Sequence, residues 1–375
     1  MTGPVGVGII GAGVISDTYL QNLTSFPDVT VVHVGDLNVE RARAQAEKYG
    51  VPRAGTAADV LADPEVEVVV NLTIPAVHVE VSAAAIAAGK HVWTEKPLGL
   101  DRNGTAQLLR DADAAGLRIG SAPDTVLGPG FQTAKRAIAE GVIGTPLFAQ
   151  TVFQTQGPDL WHPSPQFLFA RGAGPLLDMG PYYLTGLVSL FGAVEKVSAF
   201  GSRVRTERMI HTGPDAGTTF PVEVPTTVQL LTSFSSGVQG QSLLSFDSAL
   251  ERAGVFEVHG TEGSLVLPDP NMFTGRIAVV RPLGALRDGM SFEQEWIDIP
   301  QQGAETGRGL GLLDMVRAIA EDRPHVASGA LGHHVLDVML SAEESIASGE
   351  TVTVSSTVDE VPAVPVDFDP FAATL

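Results

Sequence analysis

The chain has 375 residues, with 43 Asp and Glu against 23 Lys and Arg, a formal charge of −20. That excess of acid repels phosphate backbones and anionic headgroups, which argues against a nucleic-acid or membrane surface. With no Cys, disulfide frameworks, thiolate zinc sites, iron–sulfur clusters and Cys nucleophiles are excluded. No apolar run nears the ~20 residues of a membrane span, and no basic residue precedes the apolar start as it would in a secretory leader. A globular, cytoplasmic protein of two domains is expected.

The first 125 residues alternate short Val/Ile-rich runs with helical patterns. The runs are Val5–Ile10, Thr30–Asp36, Val66–Thr73, His91–Glu95 and Arg118–Ala122. They are nearly continuous in apolar residues, as strands buried on both faces read. Helical patterns over Ser16–Phe26, Val39–Tyr49, Ala76–Ala88 and Arg102–Ala115 separate them. Repeated β-then-α units predict a doubly wound parallel sheet over residues 1–125. Residues 126–375 form the second expected domain. After a helix at Gly130–Glu140, strands that alternate polar and apolar residues predict an α+β domain with a mostly antiparallel sheet. Further helices are predicted at Gly174–Phe191, Leu310–Glu321 and Ala330–Ser348; residues 209–225 and 283–306 read as loops. The acidic, Pro-bearing tail after 357 reads as loosely held.

Gly-Ala-Gly-Val-Ile-Ser at 11–16 follows the first strand and opens the first helix. Gly11 suits the tight turn, Gly13 lets backbone approach a pyrophosphate, and Val14 and Ile15 place their amides at a helix N-terminus, where anions bind. A plain glycine turn is the competing reading. Asp36, ending the second strand, stands where a carboxylate binds the ribose hydroxyls of a dinucleotide, or it serves as a helix cap. Leu37 beside it offers no counter-charge to a 2′-phosphate, which favours NAD; Arg41 and Arg43 nearby keep NADP open.

Glu95-Lys96-Pro97 sits at the carboxyl end of the fourth strand, the edge where ligands collect in such sheets. Of only five lysines, Lys96 alone holds that position, and it is a candidate proton relay beside a nicotinamide. In Gly174–Tyr183, Asp178 and Tyr182 are four apart and share a helix face. A phenol is a poor base at neutral pH unless an ammonium lowers its pKa. Tyr182 and Tyr183 also read as core aromatics. Trp161 and His162, in a Pro-rich loop, could stack on and hydrogen-bond to a sugar, or anchor the loop. Asp124 could reach substrate or cap the next segment. No His/Asp/Glu spacing suggests a metal.

These residues resemble the glucose–fructose oxidoreductase/inositol dehydrogenase family (Gfo/Idh/MocA). The resemblance rests on Gly-Ala-Gly at 11–13, Asn-Leu-Thr-Ile-Pro-Ala-Val-His at 71–78, Glu-Lys-Pro at 95–97, Gly-Pro-Leu-Leu-Asp-Met-Gly at 174–180 and Arg323-Pro324. It implies an N-terminal Rossmann domain and a C-terminal α+β domain with a large open sheet that makes dimers or tetramers. The C-terminal segment would pack back on the first domain. It implies that Thr73, Pro75, His78 and Glu95 line the cofactor, with a satisfied helix histidine as the other reading of His78, that Lys96 and Asp178 serve the substrate, and that Tyr182 fills a position held by His in inositol dehydrogenases. The expected activity is NAD(P)-dependent hydride transfer on a sugar, polyol or cyclic alcohol. A non-catalytic NAD(P)-sensing regulator and an NAD-dependent glycoside hydrolase are the rival readings.

Overall fold

A computed structural model describes residues 3–282 and 294–375. Its first elements are β1 (Val5–Ile10), α1 (Val14–Leu23), β2 (Val29–Gly35), α2 (Val39–Tyr49), β3 (Arg53–Gly55), α3 (Ala57–Ala62), β4 (Val68–Asn71), α4 (His78–Ala87), β5 (His91–Thr94), α5 (Arg102–Ala114) and β6 (Ile119–Ser121). There follow α6 (Pro129–Ala139), β7 (Pro146–Gln154), α7 (Gly174–Phe191), β8 (Val194–Ser202), β9 (Glu207–Met209), β10 (Thr219–Pro221), β11 (Thr227–Phe234) and β12 (Gln239–Ser245). The chain continues through β13 (Arg252–Gly260), β14 (Ser264–Val266), β15 (Ala278–Val280), β16 (Trp296–Asp298), α8 (Leu310–Ala320), α9 (Gly329–Ser348) and β17 (Val352–Thr353).

The chain divides into two compact units. The first comprises residues 1–128, 303–336 and 361–375, within the described range. Its six strands are all parallel, in the order β3-β2-β1-β4-β5-β6. This is the doubly wound order, with a reversal between β1 and β4. The sheet forms because β1 and β4 are buried along their whole length, as strands covered on both faces must be. A core of Ile10, Val32, Val60, Val69, Val92, Leu108 and Ile119 packs around them, and each fully buried side chain of this size contributes roughly 1.5–3 kcal/mol. The sequence did not single out β3 and α3, which are too short to show a period.

The tail is not loose. Asp28, 1% exposed, accepts from the Thr374 and Leu375 amides and the Thr374 hydroxyl. Arg317 joins Asp28 at 2.7 Å and donates to the carbonyls of Asp369 and Ala372. Burial makes this ion pair dependent on those extra bonds.

The second unit comprises residues 129–302 and 337–360. Its nine-stranded sheet runs β16-β15-β14-β13-β7-β12-β11-β8-β17. Among the described residues only the β7–β12 pairing in it is parallel; the other pairings are antiparallel. β11 alternates buried and exposed residues, so one face is covered and the other open. α7 packs on the covered face, where Gly186 stands against Phe256 and Phe131. A small β9–β10 hairpin, residues 207–221, overlaps the segment 209–225 that read as loop. β16 lies in the second expected loop, 283–306, of which 283–293 fall outside the described residues. Among the described residues no helix is long and apolar enough to cross a membrane.

Candidate active site

In the first unit, the β1–α1 and β4–α4 turns flank the point where the strand order reverses, the crevice that takes ligands in open α/β sheets. Gly11 has φ +108°, and a Cβ there would lie 2.6 Å from the Leu72 carbonyl oxygen. Only glycine fits. Gly13 is the N-cap of α1, with φ −75° and no side chain capping the helix. A Cβ on Gly13 would meet nothing within 4 Å, so its smallness serves no packing within the chain. The result is a bare helix N-terminus opening on free space. Ser16, fully buried, donates its hydroxyl to the Gly13 carbonyl at 2.6 Å and keeps helix and strand close.

Asp36 is 5% exposed. One oxygen accepts from the Ala12 amide at 2.7 Å; the other accepts from the Asn38 amide and from Arg41, each at 2.7 Å. Burial opposes its ionisation, and the bonds from Arg41, Ala12 and Asn38 more than offset this, holding the carboxyl below its usual range. Asp36 thus braces the glycine turn and supports the start of α2, whose N-cap is Asn38 and not Asp36. Val14, Leu37 and Ile74, after the adjacent strands β1, β2 and β4, are 91%, 102% and 65% exposed. Bare apolar side chains gathered at one sheet edge mark a surface made to be covered. With the glycine turn and the uncapped helix, they fit a dinucleotide's charged centre and flat ring ends.

Thr73, Pro75 and half-buried Ile15 border the same edge. Thr73 donates its hydroxyl to Asn71 at 2.6 Å, and Asn71 donates to the His78 carbonyl and to Ser82. His78 is fully buried, its ring nitrogens 2.7 Å from the Pro97 carbonyl and 3.0 Å from that of Thr73. Burial lowers its pKa. The ring ties two loops together and turns neither nitrogen outward. Glu95 receives the Tyr19 phenol at 2.9 Å on one oxygen and the Lys96 amide at 3.0 Å on the other. Tyr19 in turn accepts from the Trp93 indole at 3.1 Å. Burial, reinforced by Glu95 and Asp124, pushes the Tyr19 phenol well above its usual pKa, which keeps it a donor. Glu95 is thereby a buried brace for the Lys96 backbone, and the Lys96–Pro97 peptide is cis.

Asp124 departs from expectation. It is fully buried, and one oxygen accepts from the amides of Gly309 and Gly311 at 2.8 and 3.1 Å. It therefore caps the start of α8, where a carboxylate suits the helix dipole, and a zero-exposure side chain cannot meet substrate as it stands. Burial, with Glu95 adding to it, raises its pKa to about 6 against the pull of Arg308 and the two amides.

The second unit holds a cleft of about 310 Å³. Phe153 from β7, Met179 from α7 and Phe246 after β12 give it an apolar lining, backed by the Phe169/Phe220 cluster. Asp178 and Trp161 line it together, with Gln156, Glu251 and Asn271. Trp161 is 66% exposed and packs edge-on against His162 at 5.6 Å, so it is no buried anchor. His162 accepts from the Ser164 amide and packs on Phe167. Tyr182, one turn beyond Asp178, is buried. Tyr183 accepts from the Gly254 amide at 2.9 Å, and burial raises its phenol far above the normal range; it is structural.

Behind the cleft wall lies Arg208, 5% exposed. One terminal nitrogen donates to Asp159 at 3.0 Å and the Gln156 carbonyl at 2.8 Å; the other donates to Asp247 and the Phe246 carbonyl. Gly157, at φ +113°, has room for no Cβ, since one would sit 2.5 Å from Asp159 and 2.9 Å from Arg208. Among the described residues no group of three or more His, Asp or Glu is placed to hold a metal.

Residues 5–122 match the model of the oxidoreductase family with an NAD-binding Rossmann fold, and residues 131–266 match that of the GFO/IDH/MocA C-terminal domain. A trans-1,2-dihydrobenzene-1,2-diol dehydrogenase of Mus musculus is 30% identical over 261 residues, 68% of this chain and 72% of that protein. The chain belongs to the Gfo/Idh/MocA oxidoreductases. The Bos taurus diol dehydrogenase is 29% identical over 70% of the chain and 74% of its own length. Among solved structures, an NAD-binding oxidoreductase from Klebsiella pneumoniae aligns with TM-score 0.80 at 24% identity, over 95% of this chain and all of that one. A levoglucosan dehydrogenase in complex with NADH and L-sorbose aligns with TM-score 0.79 at 22% identity, over 94% and 99%. At that identity these structures establish the fold. As a Gfo/Idh/MocA oxidoreductase the protein uses NAD(P). Sequence reasoning missed Tyr19, Phe153, Arg208, Phe246, Glu251 and Asn271; only the strand alternation of β7 offered a signal, for Phe153.

Proposed function

We propose that this Gfo/Idh/MocA protein is a cytoplasmic dehydrogenase that oxidises a CH–OH group of a sugar, polyol or cyclic diol, or runs the reverse reduction. The observation that carries the reading is Asp178 standing with Trp161 in an aromatic-walled cleft of an NAD(P) oxidoreductase. Diols and sugars, named for the relatives, present the C–H faces and hydroxyls that such walls suit.

When bound, the nicotinamide exchanges a hydride with the substrate carbon. Gly11, Gly13, Val14 and Ile15 would hold the pyrophosphate by backbone amides, Asp36 the ribose hydroxyls, and Thr73 and Pro75 the border of the ring site. Glu95 and His78 act one step back, as positioning residues for the loops bearing Lys96 and Thr73. Lys96 and Tyr182 would take the hydroxyl proton, since an ammonium lowers the pKa of a phenol near it. Asp178 orients substrate and ammonium. The first unit, 1–128 with 303–336 and 361–375, would serve the cofactor, and the second, 129–302 with 337–360, the substrate and assembly, so the expected boundary at 125 misses the return of the C-terminal segments to the first unit. The open sheet face carries exposed Phe148, Phe200 and Leu231 and would join two or four copies.

Lys96→Met tests the relay. The variant should bind NADH as tightly as the parent while losing about 10²–10⁴-fold in kcat, the span of a lost acid–base group. Undiminished turnover would sink the assignment.

A further inference from the structure

Lys96 stands two residues beyond β5, and its backbone is held by a series of buried hydrogen bonds that runs back through the first unit. Trp93 on β5 and Tyr19 on the buried face of α1 are both 0% exposed. An indole N–H can only donate, so the 3.1 Å contact from Trp93 makes the Tyr19 oxygen an acceptor. The phenol proton goes to one Glu95 oxygen at 2.9 Å. The Lys96 amide, also only a donor, goes to the other at 3.0 Å. Glu95, itself buried, therefore meets a donor on each oxygen as a carboxylate. The far end of the series is fixed as well. The Trp93 ring is wedged between Gly120 and Gly311, where a Cβ would lie 2.5 and 2.2 Å from it. Asp124 holds the Gly311 amide at 3.1 Å, so the start of α8 backs the indole.

We propose that Tyr19 is a positioning residue for the reaction: it locks Glu95 in place with its charge intact, and Glu95 sets the root from which the Lys96 side chain reaches. The inference rests on the reading of Lys96 as the proton relay. Tyr19 moves no proton itself, because burial, with Glu95 and Asp124, keeps the proton on its oxygen. A phenylalanine there would fill the same space but leave the indole N–H and one Glu95 oxygen without partners in a dry core. Such groups are costly to leave unmade, so the carboxylate would turn toward other donors and release the Lys96 amide.

Tyr19→Phe in the full chain is the test. Exchange of the Lys96 amide proton, followed by NMR, should quicken about 10-fold, the net strength of one hydrogen bond, while the amides of β1 keep their rates. On an accepted sugar, kcat should fall about 10- to 100-fold, as misplacement of a catalytic group does, with KM and the NADH Kd each within about 2-fold of the parent. Leu23→Ala, a truncation on the same buried face of α1, separates position from stability. It should lower the melting temperature at least as far as Tyr19→Phe does and leave kcat and Lys96 exchange unchanged. Lys96 exchange unmoved by Tyr19→Phe would overturn the inference, as would a kcat within about 2-fold of the parent, or a loss of kcat shared by Leu23→Ala. Full turnover in Lys96→Met sinks the relay reading instead, and Lys96 exchange then decides alone whether Tyr19 places that residue.

Discussion

The proposed cofactor edge and the proposed substrate cleft are built from different materials. At the edge of the first unit the working groups are main-chain amides, placed by a turn that only glycine can make at Gly11. Asp36, one strand away, braces them through the Ala12 amide. The cleft of the second unit is made of side chains from β7, the 155–161 loop, α7, the end of β12, the start of β13 and Asn271. Its wall is pinned by a buried ion cluster around Arg208. Backbone chemistry leaves a local imprint in sequence and tolerates little variation. A side-chain mosaic leaves none, and can be recut for new substrates without disturbing the sheet beneath.

The sharpest way to break this contrast is at Arg208. Arg208→Met strands Asp159, whose side chain is 4% exposed, and should cost about 3–5 kcal/mol of unfolding free energy in urea titrations. A loss below about 1 kcal/mol would show that the wall does not depend on that cluster. Asp124 tests whether the carboxyl end of β6 belongs to the scaffold. Its folded pKa of about 6 lies above the ordinary 3.8, so the native state holds the extra proton between those values. Its stabilising effect is full below pH 4 and lost as pH rises through 6, a loss of about 3 kcal/mol. Asp124→Asn should flatten that part of the stability–pH curve relative to the parent, with dinucleotide affinity unchanged. Parallel curves would contradict the burial argument.

At the cofactor edge, Gly13→Ala is the cleaner variant. Its φ and the space around it accept alanine, so the melting temperature should hold while NAD affinity falls about 10- to 100-fold, the effect of a 1–3 kcal/mol steric overlap. Unchanged affinity would mean that backbone does not approach the ligand there. The smallest effect is expected at Trp161. Trp161→Ala should raise KM for a sugar about 2- to 10-fold with kcat nearly intact, as loss of one stacking face does. A fall confined to kcat would place Trp161 in the chemistry instead.

The same contrast explains what could be read in advance. The parallel, doubly wound class of the sheet followed from alternating β and α patterns, and Gly11, Gly13 and Asp36 stood out because each occupies a fixed place at the end of a strand. Lys96 stood out through the scarcity of lysine and its strand-end position. Asp124 occupied an equally suggestive position, yet its carboxylate is consumed by the amides of Gly309 and Gly311, far along the chain. No local pattern could announce that. Glu251, Phe246 and Asn271 come from separate strand ends and converge only in space. Arg208 lay just before the stretch 209–225 that read as loop, in a three-residue strand too short to carry a period. The tail looked loose by composition because its anchor, Asp28, is more than 300 residues away in the chain.

We propose that this protein moves a hydride between NAD(P) and a sugar, polyol or cyclic diol, with Lys96 in the proton path. Absorbance at the reduced-nicotinamide band tests it directly, with purified protein, NAD or NADP, and a panel of aldoses, inositols and cyclic diols. The account predicts growth of the band in step with substrate oxidised, and its collapse in Lys96→Met at unchanged cofactor binding. Tight cofactor binding with no band growth on any panel member would contradict it in favour of a sensor, and sugar release from a chromogenic glycoside without band growth would contradict it in favour of a glycoside hydrolase.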